Sequence, residues 1–197
     1  MEEKLAVLRQ HLLLKVAINQ TEIDKFLGFT ERRQYKKGDF FLRQGRVARH
    51  IAFLLSGVMS TYSLDAQGEK HVIQISIAGH WTSDLYSFLA KEPTTYNVEV
   101  MKDADVLLLT KENFDRACTE IPVFERFFRL LVQNAFIHLQ RRIANIYSET
   151  AEERYLKLIK EKPEIANSVP QHYLASFLGI KPQSLSRIRS NLAKKRS

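Results

Sequence analysis

Between Gln171 and Ser197 the chain places six cations, Lys181, Arg187, Arg189, Lys194, Lys195 and Arg196, and no acid. On a helix starting near Lys181, the spacing sets Gln183, Ser186, Arg187 and Ser190 on one face. Their chemistry has a common target. A glutamine amide can pair with adenine in bidentate fashion, an arginine with guanine O6 and N7, and a serine hydroxyl with either purine. Ammonium and guanidinium groups beside them can hold phosphates. Gln183, Ser186 and Arg187 are therefore the candidate base readers of a double-stranded DNA partner. Lys181, Ser190, Arg189, Lys194, Lys195 and Arg196 are the candidate phosphate contacts.

The surrounding residues suit a scaffold for such a helix. In "QHYLASFLGIKPQSLSRIRSN" (171–191), Leu174, Leu178, Ile180, Leu185 and Ile188 are apolar, and Ala175 lets two helices approach. Gly179 supplies the positive φ of a tight turn, and Pro182 suits the first turn of the second helix. This pattern predicts a helix-turn-helix.

Upstream, Thr150 and Glu153 form a capping box for a helix through Ile159, which Pro163 ends, and a polar stretch follows to Ser168. The segment 122–147 carries two apolar stripes. Phe124, Phe127, Phe128 and Leu131 can cover the chain's own core. Val132, Phe136, Leu139, Ile143 and Ile146 follow the spacing of a coiled-coil seam, which predicts a homodimer built on this helix.

From Gln34 to Leu109 the pattern changes to short apolar runs between glycines, with Gly45, Gly57, Gly68 and Gly79 at regular intervals. The runs Ile51–Leu55, Val58–Tyr62, His71–Ile77, Val98–Met101 and Val106–Leu109 read as antiparallel strands, with "DAQGEK" (65–70) as a hairpin turn. Ahead of them, Leu5, Leu8 and Leu12 mark a helix, and Thr21 can cap a second that stops at Gly28.

The predicted fold is α+β: an antiparallel, jelly-roll-like β-roll flanked by helices over 1–120, a long dimerisation helix over 121–148, and over 149–197 an all-α, winged-helix-like domain without a C-terminal wing. The net charge of +8 and pI near 9.6 point to a polyanionic partner, and the cations of the last 27 residues give that charge a location. A single cysteine, Cys118, excludes an intrachain disulfide and a cysteine-held cluster. No run approaches the roughly eighteen apolar residues of a membrane span, and no leader is evident, so a cytoplasmic protein away from membranes is expected. His50, His71 and His80 are isolated, without the clustered ligands that metal-dependent chemistry on a roll requires. Neither a catalytic centre nor a bound cofactor is expected.

"KKGDFFLRQG" (36–45), "IAFLLSGVMSTYSLDAQGEKHVIQISIAGHW" (51–81) and the helix-turn-helix together resemble the Crp/Fnr family of transcription regulators over essentially the whole chain. The resemblance implies an effector-sensing roll, a dimer on the long helix and a palindromic operator. RNA polymerase is a further expected partner. Members that bind cyclic AMP carry a Gly-Glu-Leu motif for the ribose and an Arg-Ser-Ala triplet for the phosphate. Here Ser83, Asp84 and Leu85 stand in the first place, and Thr94, Thr95 and Tyr96 in the second. Thr94 cannot clamp a phosphate as a guanidinium does, and no arginine is expected nearby to replace it. This degenerate pocket predicts no tight cyclic AMP binding and leaves any small-molecule effector unnamed. Two alternatives are a sensing roll that regulates a protein partner and a cyclic-nucleotide-responsive regulator with a divergent pocket.

Overall fold

The computed structural model describes residues 2–194. Two helices lead the chain, α1 (Glu2–Leu13) and α2 (Gln20–Leu27). Asn19, rather than Thr21, caps α2. Its Oδ1 accepts from the Glu22 N–H at 2.9 Å, and Glu22 Oε2 accepts from the Asn19 N–H at 2.9 Å. This reciprocal pair satisfies two orphan donors at once, and Thr21 lies already inside the helix.

The roll comprises β1 (Glu31–Tyr35), β2 (Phe40–Leu42), β3 (His50–Leu64), β4 (Lys70–Ile77), β5 (Trp81–Thr82) and β6 (Asn97–Thr110), with helix α3 (Leu85–Ala90) before β6. The strands pair antiparallel in the order β1-β6-β3-β4, with β2 also on β6 and β5 also on β3. The expected hairpin joins β3 to β4. Gly68 has φ +80°, and Asp65 Oδ1 accepts from the Gln67 and Glu69 N–H groups at 2.9 Å each.

Two expected strand pairs are single long strands. Ile51–Leu55 and Val58–Tyr62 both lie in β3, and Val98–Met101 and Val106–Leu109 both lie in β6. Gly57 therefore marks a bulge rather than a turn. Register shifts occur at Leu54/Ser56, Ser56/Val58 and Val58/Met59, and Gly57 takes φ +94°. A Cβ there would sit 2.5 Å from the Ala104 Cα across the ladder. Gly57→Ala combines backbone strain with overpacking and should cost about 2–4 kcal/mol in urea unfolding. A change below about 0.5 kcal/mol, the range of ordinary surface substitutions, would contradict the packing described.

Helix α4 (Lys111–Glu120) follows the roll, and then the long α5 (Pro122–Ser148). The first stripe of α5 closes the core: Phe124 and Phe127 are fully buried, and Phe124 stacks on Phe26 with ring centroids 4.4 Å apart. Beneath it, His11 lies between Phe53 and Phe127, at 5.4 and 5.6 Å, and its Nε2 has no hydrogen-bond partner among the described residues. Burial, then the charges of Lys15 and His80, lowers its pKa from 6.5 to about 4. The unfolded chain thus binds a proton that the folded chain rejects. This contribution is fully present above pH 6.5 and is lost as pH falls from there toward about 4. His11→Gln should flatten that part of the acid-side slope when urea midpoints are compared at several pH values. An unchanged slope would contradict the burial described for His11.

Four helices complete the chain as described: α6 (Ala151–Glu161), α7 (Pro163–Ser168), α8 (Gln171–Phe177) and α9 (Pro182–Lys194). Thr150 and Glu153 cap α6 reciprocally, as expected. The polar stretch after Pro163 is itself the short helix α7, anchored by buried Ile165. No strand follows α9 among the described residues.

Candidate nucleic-acid interface

Helices α8 and α9 meet across the turn at Gly179, which has φ +68°. The Gly179 N–H donates to the Ser176 carbonyl and the Ile180 N–H to the Ala175 carbonyl, each at 3.0 Å. Leu174, Ala175 and Leu185 are buried where the two helices touch. Lys181 precedes α9, and its carbonyl accepts from Ser184 and Leu185.

On α9, Leu185 and Ile188 are buried and Leu192 is half-buried. Gln183, Ser186, Arg187, Ser190 and Lys194 are exposed on the opposite side, with Arg189 exposed on the flank. The candidate readers thus occupy one solvent face with the described cations around them. Lys195 and Arg196 lie outside the described residues. Lys181, Ser184, Arg187 and Asn191 line an open groove of about 570 Å³ with Thr150 and Glu152 at the start of α6. Asn191 was not among the sequence candidates. Its place four residues after Arg187 puts it beside that side chain on the helix surface, and its amide has the adenine-pairing chemistry of glutamine.

The second stripe of α5 faces solvent in the single chain. Val132, Phe136, Leu139, Ile143 and Ile146 are between 37% and 59% exposed. The same helix also carries Arg142, whose guanidinium donates to the carbonyls of Ile73, of Val72 at 3.3 Å and of Phe177 at 2.7 Å. Burial lowers its pKa. One cation therefore ties α5 to both the roll and the helix-turn-helix.

The helix-turn-helix docks on the edge strand β4. Ser176 Oγ accepts from the Val72 N–H at 2.9 Å and donates to the Lys70 carbonyl at 2.8 Å. Lys70 Nζ donates to Glu99 at 2.7 Å and to the Tyr173 hydroxyl at 2.6 Å, and that hydroxyl donates to Glu99 at 3.1 Å. Burial opposes the Lys70 charge, but its bonds to Glu99, Tyr173 and Tyr62 outweigh it and raise the pKa. Val58, Tyr62, Val72 and Ile75 of the roll share an apolar cluster with Tyr155, Tyr173 and Leu174.

The degenerate pocket residues are engaged with one another. Asp84 is buried and caps α3, accepting from the Tyr86 N–H at 3.0 Å and the Ser87 N–H at 3.3 Å. Its other oxygen accepts from Thr94 Oγ1 at 2.6 Å. Ser83 Oγ donates to the His50 carbonyl at 2.8 Å. Leu85 is the first residue of α3, and Thr95 is exposed just before β6. The reading that no arginine lies near Thr94 needs correction. The Thr94 N–H donates to the Arg46 carbonyl at 2.9 Å, and the Gly45 N–H donates to the Thr94 carbonyl at 2.8 Å. This pairing joins positions almost fifty residues apart, so sequence proximity could not reveal it. Arg46 also lines a cleft between β1 and β2 that does not include Thr94.

The family model for a cyclic nucleotide-binding domain matches residues 32–120. The transcriptional activator protein Anr of Pseudomonas protegens is 22% identical over 191 residues, covering 90% of this chain and 77% of that protein. The solved structure of FixK2 from Bradyrhizobium japonicum matches with TM-score 0.73 at 16% identity, covering 84% of this chain and 85% of that one. That of the global regulator CLP of Xanthomonas campestris, described as responsive to c-di-GMP, matches with TM-score 0.71 at 16% identity over 90% and 93%. The two structural likenesses concern the fold.

Proposed function

We propose that this chain is a Crp/Fnr-type, homodimeric, sequence-specific DNA-binding regulator of the cytoplasm, with RNA polymerase as a further partner; the cyclic nucleotide-binding domain match and the likeness to the activator Anr support this reading. The observation that carries this reading is the acid-free, exposed face of α9, set opposite its buried stripe. Gln183, Ser186 and Arg187 read base edges in the major groove. Lys181, Arg189, Ser190 and Lys194 hold phosphates, with Lys195 and Arg196 continuing the basic run. Two copies joined along the α5 seam would present their recognition helices about one DNA turn, ~34 Å, apart.

The input is distinct from the output. Asp84 already accepts from two backbone N–H groups and from the Thr94 hydroxyl, and neither residue supplies a cation for a phosphate. We therefore infer that cyclic AMP is not the effector. Any signal in the roll acts by biasing how β4 and Arg142 hold α8. The function is regulatory, not catalytic.

The test is equilibrium binding to a duplex pool at graded salt. Affinity should fall steeply as salt rises, with a log–log slope of about −0.9 per phosphate neutralised. It should be indifferent to cyclic AMP. Salt-insensitive binding, or none, would contradict the proposal.

A further inference from the structure

A second strongly cationic feature lies away from α9. A cleft of about 290 Å³ opens on the roll between β1, β2 and the segment after β2. Arg33, Arg43, Arg46 and Arg49 line it, together with Tyr35 and His50, and no carboxylate is among its lining residues. All four arginines are exposed, and none is ion-paired among the described residues. Glu31 and Asp39 act on His50 and Tyr35 from the flanks, so cations outnumber acids around the cleft. Two of the guanidinium groups rest on aromatic faces. Arg43 lies 3.8 Å from the Phe40 ring centroid and Arg33 lies 5.4 Å from that of Tyr35. Such stacking restrains the planar fork and leaves its N–H edges available for oxyanions.

The cleft is separate from the DNA-reading face. In the hydrogen-bonding order of the sheet, β1 stands at one end, and β4, which carries α8, stands at the other. It also differs from the closed Asp84–Thr94 pair, which its backbone only supports through Gly45 and Arg46. Its volume is near the lower end of small-ligand sites, about 300 Å³. Several forked donors around so small a space suit one compact ligand better than an extended acidic surface.

We propose that this cleft binds a small polyanion bearing a diphosphate-type group, held by the guanidinium forks of Arg33, Arg43, Arg46 and Arg49. The inference does not rest on the DNA-binding reading, and its test separates the two. The full chain is titrated calorimetrically with sodium pyrophosphate at fixed ionic strength, beside an Arg43→Ala/Arg46→Ala variant and an Arg187→Ala/Lys194→Ala variant.

The expected result is one site per chain, weakened about tenfold or more in the first variant because charge-assisted forks are lost. The second variant, altered at a distant and independent site, should bind within about twofold of the parent. Both replaced cleft side chains are exposed, so thermal melting should be unchanged. If that variant does not fold, Arg43→Lys/Arg46→Lys keeps the charge without the fork and should still bind several-fold more weakly. ADP as a second probe distinguishes a nucleotide from a bare diphosphate, and binding of either supports the site. No binding of either probe would overturn the proposal. So would pyrophosphate binding that only the α9 variant abolishes, or a cleft variant that loses DNA affinity instead.

Discussion

Leu139→Glu is expected to yield a folded monomer with greatly weakened operator binding. Leu139 is the middle residue of the exposed stripe from Val132 to Ile146 and is 49% exposed in the single chain. A polar replacement there leaves the roll's own core, centred on Phe124 and Phe127, untouched. In a symmetric dimer the substitution acts twice and sets two carboxylates in one apolar seam. Each Leu139 is already half-covered in the single chain, so loss of the two leucine contacts alone is worth about 1.5–3 kcal/mol, or roughly 10–10² in the dimer dissociation constant. A monomer also loses the avidity of two linked half-site contacts, commonly about 10²–10⁴. Sedimentation velocity of parent and variant at micromolar concentration reads the first effect, and duplex titration the second. An unchanged dimer would move the seam elsewhere on the chain.

Arg187→Ala should cost about 1–3 kcal/mol in each half-site and relax the preference at one base position. Arg187 is exposed on α9 opposite Leu185 and Ile188, at the groove it shares with Lys181 and Asn191. A guanidinium pairing with guanine O6 and N7 discriminates against every other base, and alanine cannot. Lys194→Ala is the informative contrast. As a phosphate contact it should weaken all sequences alike and reduce the magnitude of the salt slope by about one. If Arg187→Ala behaved in the same way, Arg187 would be a backbone contact, and base reading would fall to Gln183, Ser186 and Asn191.

The helix-turn-helix was legible because each local requirement selects its own residue type. Gly179 meets a positive φ, Ala175 a close helix approach, and Pro182 a first-turn position. The division of α5 into a buried and an exposed stripe was also written in its periodicity, which burial follows from Phe124 to Ile146. Strand continuity was less legible. A glycine in a β-rich segment can mean a turn or a bulge, and only the approach of Gly57 to Ala104 across the ladder decides between them.

Long-range polar pairing was not legible at all. Asp84 and Thr94 could be matched to pocket positions, yet their mutual bond depends on how α3 and the segment before β6 pack. Arg142 shows the same limit. In sequence it is one cation on an amphipathic helix, and in the fold it gathers carbonyls from β4 and from the end of α8. The Lys70, Glu99 and Tyr173 network likewise unites three separate segments. These contacts join the roll to the helix-turn-helix, and any signal passing between the two must change them or work around them.

Selection of bound duplexes from a random pool by this chain tests most directly whether α9 reads DNA sequence as one half of a symmetric pair. The expected outcome is an enriched inverted repeat with half-site centres about one helical turn, ~10 bp, apart, and a variant Arg187→Ala that relaxes one position in each half. A bound pool with no enriched motif, or a motif unaffected by any change on the exposed face of α9, would contradict that role for α9.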